Sequence, residues 1–236
     1  GVVAGAAWSI GAPLTTGRYA IGGAGTQTAG LGFGGYTGTG MAANTEEYNG
    51  SGWSAGGALS TARMGLAGSG TQTAAIAMGG GPSSAANIAT ELYDGTSWTI
   101  TLNTARRSLA GTGIQTSALA FGGFTTAATN ATEEYDGSSW TASGALNTAR
   151  IGLAGAGIQT SALAFGGNIP PSTAATEKYD GSSWTNGINM GTARGYLIGC
   201  GLQAAALAFG GTPAPGGALT EEYNFTVNTV TAGAWA

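Results

Sequence analysis

A unit of about 44 residues is repeated five times along this chain of 236 residues, and it constrains the fold more than any other feature. Successive copies of its arginine are 45, 43, 44 and 44 residues apart. A glutamine, a Gly-Gly pair and a tyrosine follow each arginine, and a tryptophan follows the tyrosine in the first four units. A fixed period in this range is the signature of a repeat array, so each unit should form the same small structure. The repeated arginines are Arg18, Arg63, Arg106, Arg150 and Arg194.

Each unit is predicted to form four short β-strands. In the second predicted strand of the fourth unit, Leu163 and Phe165 alternate with alanines, which is the period of a strand. The Asp180-Gly181 pair is typical of a tight turn between two antiparallel strands. Glycine is too frequent for a helix, and no apolar stripe with helical spacing extends beyond one turn. The four predicted strands of this unit lie within residues 152–157, 159–167, 175–180 and 182–187.

Four strands in each of five units predict an all-β fold, a five-bladed β-propeller with four antiparallel strands per blade. The first strand of each unit consists mainly of glycine and other small residues, so we expect it to lie closest to the crowded axis. Larger side chains such as Leu163 and Phe165 should fill the space between blades. The chain is interpreted as one propeller domain, 1–236, with blades at about 18–62, 63–105, 106–149, 150–193 and 194–224.

The two ends of the chain offer candidates for closing the ring. Trp8 lies ten residues before Arg18, and Trp140 lies ten residues before Arg150. Residues 1–17 are therefore predicted to contribute a fourth strand to the last blade, which would remove a free sheet edge. Trp235, in a C-terminal extension of residues 225–236, is a second candidate, and we favour Trp8.

The charged residues follow the repeat as well. All eleven acidic residues lie close to the tyrosine of a unit, and five of the six arginines are the repeated ones. Because a sparse charge needs a partner once it is buried, we expect each repeated arginine to pair with a repeated glutamate or with carbonyl groups, in a structural ring. The alternative is a ring of arginines that binds an anion on the axis. The repeated glutamine either bonds to neighbouring backbone or forms a set of five amides on one face, as in repeat lectins.

The order of the arginine, the Gly-Gly pair, the tyrosine and the tryptophan resembles the kelch repeat, here Arg150, Gly166-Gly167, Tyr179 and Trp184. The resemblance covers nearly the whole chain and implies a propeller, although the unit is shorter than the kelch period of roughly 50 residues. Kelch propellers include enzymes, adaptors and adhesins, so the resemblance implies no single function. The Ala-, Gly- and Thr-rich composition of the units also resembles that of repeats in structural proteins of marine bacteriophages.

Candidate ligand-binding residues lie where the units differ from one another. The loops that follow the Gly-Gly pairs vary most and should emerge on one rim, and variable loops on a rigid scaffold are where binding usually occurs. Tyr36, Phe124 and Asn168 in these loops suit sugar stacking and hydrogen bonding. Arg107, Tyr19 and Tyr196, which follow repeated arginines, are predicted to share that face. For each of these residues, ordinary surface exposure is the competing interpretation.

Composition argues against an enzyme. The chain has no histidine, and its acidic residues are copies of one another, so neither the usual metal centres nor a catalytic triad nor a glycosidase pair is expected. We predict no metal and no cofactor. A net charge of −4 argues against nucleic acid as a partner, and no apolar run is long enough for a membrane span. Cys200 is predicted to be a small buried side chain.

Two functions remain. The first is a virion structural protein or adhesin on a phage particle, within a larger assembly, in contact with host glycan or other virion proteins. The second is a secreted or cell-surface bacterial propeller resembling a lectin. Both place the chain outside the cell.

Overall fold

The computed structural model describes residues 11–81, 90–100, 105–168, 170–212 and 219–224. These residues form nineteen β-strands and no helix, so the prediction of an all-β fold is confirmed. The strands build five antiparallel sheets, one for each repeat, arranged as the blades of a β-propeller. The described part of the chain therefore contains no helix that could span a membrane.

Each blade takes its strands in chain order from the axis outward. The inner strands are β1 (Gly22–Thr26), β5 (Ala67–Thr71), β9 (Ala110–Ile114), β13 (Ala154–Ile158) and β17 (Ile198–Leu202). The second strands are β2 (Ala29–Phe33), β6 (Ala74–Met78), β10 (Ser117–Phe121), β14 (Ser161–Phe165) and β18 (Ala205–Phe209). The third strands are β3 (Thr45–Tyr48), β7 (Thr90–Tyr93), β11 (Thr132–Tyr135), β15 (Thr176–Tyr179) and β19 (Thr220–Asn224). The fourth strands are β4 (Trp53–Gly56), β8 (Trp98–Ile100), β12 (Trp140–Ser143) and β16 (Trp184–Asn186).

Blade 5 contains three strands within the described part of the chain, β17 to β19. The predicted closing strand near Trp8 and the extension that contains Trp235 lie in residues 1–10 and 225–236, outside the described residues. Each inner strand packs on the inner strand of the next blade, from β1 to β17. Among these five described strands, β17 and β1 do not pack on each other in the same way. The described blades therefore form a propeller with a seam between blade 5 and blade 1.

The turn between the third and fourth strands is held by the aspartate that precedes its glycine. The Oδ1 atom of Asp180 accepts hydrogen bonds from the backbone N–H groups of Ser182 and Ser183, at 2.9 and 2.8 Å. Gly181 has a φ of 97°, which an L-residue rarely adopts. The backbone hydrogen bonds, together with those from the Ser182 and Ser183 hydroxyl groups, lower the pKa of Asp180 to about 2. The local sequence thus sets the hairpin that brings Trp184 opposite Tyr179.

Large side chains of one blade pack on glycines in the inner strand of the next blade. A side chain at Gly199 of β17 would collide with the ring of Phe165, and one at Gly155 of β13 would collide with Phe121. Small residues are thus required near the axis because aromatic side chains from the second strands occupy that space. Leu163 and Phe165 are buried in a cluster with residues of blade 5, as the sequence predicts.

Cys200 differs from its prediction. It is exposed, whereas Ala156, at the equivalent position of β13, is buried. The difference arises because β13 lies between two blades, while β17 faces the seam, where no other described blade packs on it. The prediction treated all five inner strands as equivalent, whereas β17 is covered less than β13.

Candidate functional site

The five repeated arginines are buried and do not face a ligand cavity. Arg150 donates from Nη2 to Oε1 of Glu177 at 2.9 Å, and from Nη1 to the carbonyl oxygens of Gly166 and Ala175, both at 2.8 Å. Its side chain has no exposed surface. The equivalent pairs are Arg18–Glu46, Arg63–Glu91, Arg106–Glu133 and Arg194–Glu221, at 2.7 to 3.0 Å. These are the ion pairs that the spacing predicts, and we call them the arginine layer.

Burial dominates the electrostatics of this layer. It lowers the pKa of Arg63, Arg106 and Arg150, and the charge of the paired glutamate opposes that shift. For Glu46, burial alone would raise the pKa, but hydrogen bonds from Thr15 and the charge of Arg18 lower it overall. The guanidinium groups are therefore committed to internal partners, which argues against the alternative of an arginine ring that binds an anion on the axis.

The repeated glutamines link neighbouring blades. Gln159 of blade 4 donates from Nε2 to the carbonyl oxygens of Ala118 and Tyr135 of blade 3, at 3.1 and 2.7 Å. The same pair of bonds is made by Gln72, Gln115 and Gln203. These amides bond to backbone, as one of the two interpretations expected, and not to a shared ligand.

The residue that follows each repeated arginine lies on one rim of the propeller. It forms an isolated backbone bridge with the residue that follows the Gly-Gly pair of its own blade. This pairing draws the start of the variable loop toward the axis. The bridged pairs are Tyr19–Tyr36, Met64–Gly81, Arg107–Phe124, Ile151–Asn168 and Gly195–Thr212.

The second residue after each arginine carries a chain of hydrogen bonds around the axis. Its N–H donates to the carbonyl of the equivalent residue in the preceding blade, from Tyr196 to Gly152 at 2.6 Å and from Gly152 to Ser108 at 2.8 Å. Ser108 and Gly65 continue the series toward Ala20, at 2.7 and 3.0 Å. All five residues have a φ between 52° and 63°, although only two of them are glycine. The backbone of this rim is thus uniform, while its side chains are not.

A cavity of about 620 Å³ lies on the axis, inside this rim, and residues of all five blades line it. Leu66, Leu109, Leu153 and Leu197 contribute to its apolar wall. We call this space the axial cavity. Tyr19 and Tyr196 also line it, and 61% and 53% of their respective surfaces are exposed.

The predicted ligand-binding residues lie on this rim at two depths. Arg107 and Tyr196 line the axial cavity. Tyr36, Phe124 and Asn168 lie behind the rim. Each forms a backbone bridge with the residue that follows the repeated arginine of its blade. Phe124 supports Arg107, since the Cζ atom of Arg107 lies 4.5 Å from the ring centroid of Phe124.

Tyr36 contacts a residue that lines the axial cavity, whereas Asn168 has an unpaired polar atom. The Tyr36 ring lies 5.4 Å from the Tyr19 ring, so it backs a cavity-lining residue. The Oδ1 atom of Asn168 is buried and has no hydrogen-bond partner among the described residues.

Sequence reasoning missed Ile21, Met64 and Ile198, which also line the cavity. Their signal was available, since each lies one to four residues after a repeated arginine.

Comparisons with protein families and with curated proteins identify no relative of this chain: no family model matches it, and no curated protein does. Within the part of the chain that the structure describes, no three acidic or cysteine side chains cluster closely enough to hold a metal ion. The arrangement offers aromatic rings, a guanidinium and an apolar wall around one cavity, which is chemistry for binding.

Proposed function

We propose that this protein is a non-enzymatic binding propeller of a phage particle, a virion structural protein or adhesin whose axial cavity takes a host-surface glycan. The axial cavity carries the proposal, because a repeated leucine wall lies beneath rim positions at which the repeats differ. Ligand sites are concave and mostly apolar, with a few polar groups that orient the ligand, and this cavity has that composition.

Aromatic and guanidinium groups at the mouth suit the faces of sugar rings. Tyr19 and Tyr196 present exposed rings on the same rim, and Arg107, whose guanidinium lies over the ring of Phe124, lines the same cavity. A planar, pre-organised guanidinium loses little freedom when it binds. The sparse surface charge and the net charge of −4 favour a neutral ligand over a polyanion.

The phage context has a separate basis. The order of the repeated residues in each unit resembles the kelch repeat, and the Ala-, Gly- and Thr-rich composition of the units resembles that of structural repeats of marine phages. A chain of this kind would be displayed on a virion and contact other virion proteins. A secreted bacterial lectin would use the same cavity, so the particle in which the chain is found separates the two.

A glycan array tests the binding step. We expect the intact protein to bind a restricted group of neutral glycans, and Tyr196→Ala to lower that affinity about tenfold, which is about 1.4 kcal/mol. Alanine is tolerated at this backbone position, since Ala20 occupies it in blade 1 with a φ of 53°. The matched control is Ile158→Ala, which removes an exposed side chain that does not line the cavity. An array without any bound glycan, or equal loss in both variants, would refute the proposal.

A further inference from the structure

We propose that the ligand of the axial cavity is a sugar that carries an acetamido group, with the methyl group of that substituent against the leucine wall and its carbonyl oxygen on Arg107. This inference rests on the proposed function and narrows it, because it names the class of glycan. Three features of the cavity carry it: an aliphatic wall, a guanidinium on one side, and aromatic rings on the opposite side.

The wall of the axial cavity is aliphatic in every blade. The third residue after each repeated arginine forms it, and this residue is a leucine in four of the five blades. These side chains are held in place, since a side chain at Gly122 or Gly166 of the preceding blade would collide with Leu153 or Leu197. Burying a sugar hydroxyl group against such a wall without a partner is unfavourable, so the part of a sugar that reaches the wall should be apolar. The wall residues are Ile21, Leu66, Leu109, Leu153 and Leu197.

The backbone of the rim is already bonded to itself. The N–H of Ser108 donates to the carbonyl of Gly65 at 2.7 Å, and the N–H of Gly152 donates to the carbonyl of Ser108 at 2.8 Å. The N–H and the carbonyl of Arg107 are both bonded to the backbone of Phe124, at 3.0 and 2.8 Å. The choice among ligands therefore falls to the side chains that line the cavity.

Blade 3 supplies a cation and a hydroxyl group to the axial cavity. Arg107 and Ser108 line it, and no acidic side chain is among the described residues that do so. A guanidinium carries hydrogen-bond donors and no acceptor, so a neutral ligand has to offer it an acceptor. The carbonyl oxygen of an amide is such an acceptor. In an acetamido group a methyl group lies beside that carbonyl, so one substituent serves both the guanidinium and the aliphatic wall.

Two tyrosines lie across the axis from Arg107. The blades follow one another around the axis, so blade 3 lies opposite the boundary between blade 5, which carries Tyr196, and blade 1, which carries Tyr19. Each ring is backed on one side, since a side chain at Gly152 would collide with the Tyr196 ring and the Tyr36 ring contacts Tyr19. Much of both rings remains exposed. A sugar can pack its apolar C–H groups on these rings and place its acetamido group between the wall and Arg107.

The affinities of the intact protein for four free sugars test the proposal. N-Acetylglucosamine and N-acetylgalactosamine carry the acetamido group, and glucose and galactose carry a hydroxyl group in its place. In at least one of the two pairs we expect the acetamido sugar to bind about tenfold more tightly, because its parent leaves an apolar contact and a hydrogen bond unmade. Titrations followed by NMR measure both affinities. Equal affinities within both pairs would overturn this inference and leave the proposed function standing, whereas a protein that binds no glycan would refute both.

Two variants separate the contact with Arg107 from general affinity. Arg107→Met removes the donors and keeps an apolar side chain, so the preference for the acetamido sugar should fall severalfold. Ile158→Ala is the matched control, because it removes an exposed side chain that does not line the cavity, and it should keep the full preference. Urea unfolding establishes that both variants are folded. A full preference in folded Arg107→Met would overturn the assignment of the carbonyl oxygen to this guanidinium.

Saturation-transfer NMR checks the orientation of the bound sugar. When methyl protons of the protein are irradiated, the acetyl methyl group of the ligand should receive the strongest saturation, because the leucine wall surrounds it. Stronger saturation of the sugar ring protons would place the acetyl group outside the cavity and overturn the proposal.

Discussion

The arginine layer and the rim of the axial cavity are adjacent in sequence but differ in burial and in how much their side chains vary. Arg106 is fully buried and bonded to Glu133 at 2.7 Å, whereas Arg107, the next residue, lines the axial cavity above Phe124. In the layer, the same residue appears in all five blades with the same partners. On the rim, the backbone is equally regular, with φ from 52° to 63°, but the five side chains include two glycines, an alanine, a serine and a tyrosine.

This difference separates what the fold requires from what it permits. A buried ion pair requires both charges and the carbonyl partners, because either one left alone in the interior is strongly destabilising. The rim requires only a backbone that can adopt a left-handed conformation and donate one hydrogen bond. Its side chains are therefore free to vary, and variation on a fixed backbone is what a binding surface needs.

The largest expected effect contrasts the two adjacent arginines. Arg106→Met leaves Glu133 buried without its partner, so we expect the free energy of unfolding to fall by about 3–5 kcal/mol. Arg107→Met removes a contact over one ring, and its loss should stay near 1 kcal/mol or below. Urea unfolding followed by tryptophan fluorescence measures both. Similar losses in the two variants would show that the layer and the rim do not differ in the way described.

A smaller effect comes from the tyrosines between blades. Burial, and then a hydrogen bond to a glutamate of the preceding blade, raise the pKa of Tyr93 and Tyr179 to about 12. Because the folded state favours the protonated phenol, this stabilisation is complete below about pH 10 and is lost as the pH rises to about 12. The expected loss is on the order of 1–3 kcal/mol for each tyrosine.

The pH dependence of the free energy of unfolding checks this contribution. Replacing both residues with phenylalanine should flatten the curve across that alkaline interval. A native curve that is already flat there would contradict the assignment of these phenols to the blade interfaces.

The fold could be predicted from the sequence because the repeated residues make the same contacts in each blade. The period of the arginines and tyrosines predicted the blades, and the clustering of acidic residues predicted the ion pairs. It could not predict which rim residues line the cavity and which lie behind them, because Phe124 and Arg107 are 17 residues apart in sequence and are brought together only in the fold. It also misplaced Cys200, because the repeat makes the inner strands equivalent, whereas β17 lies at the seam and is covered less than β13.

The smallest expected effect tests the strain of the rim backbone itself. Ser108 has a φ of 52°, a conformation that costs an L-residue about 1–2 kcal/mol. Glycine at this position removes that cost but gains about 0.4–1 kcal/mol of disorder in the unfolded chain, so Ser108→Gly should stabilise the protein by about 0.5–1 kcal/mol. Gly152→Ala is the reverse change at the equivalent position, where the new methyl group would also meet the Tyr196 ring, and it should destabilise. Urea midpoints that move in opposite directions would show that the left-handed backbone conformation of the rim lowers the free energy of unfolding. A loss of stability in both variants would mean that the Ser108 side chain contributes to folding, and the rim would then be less free to vary than the comparison holds.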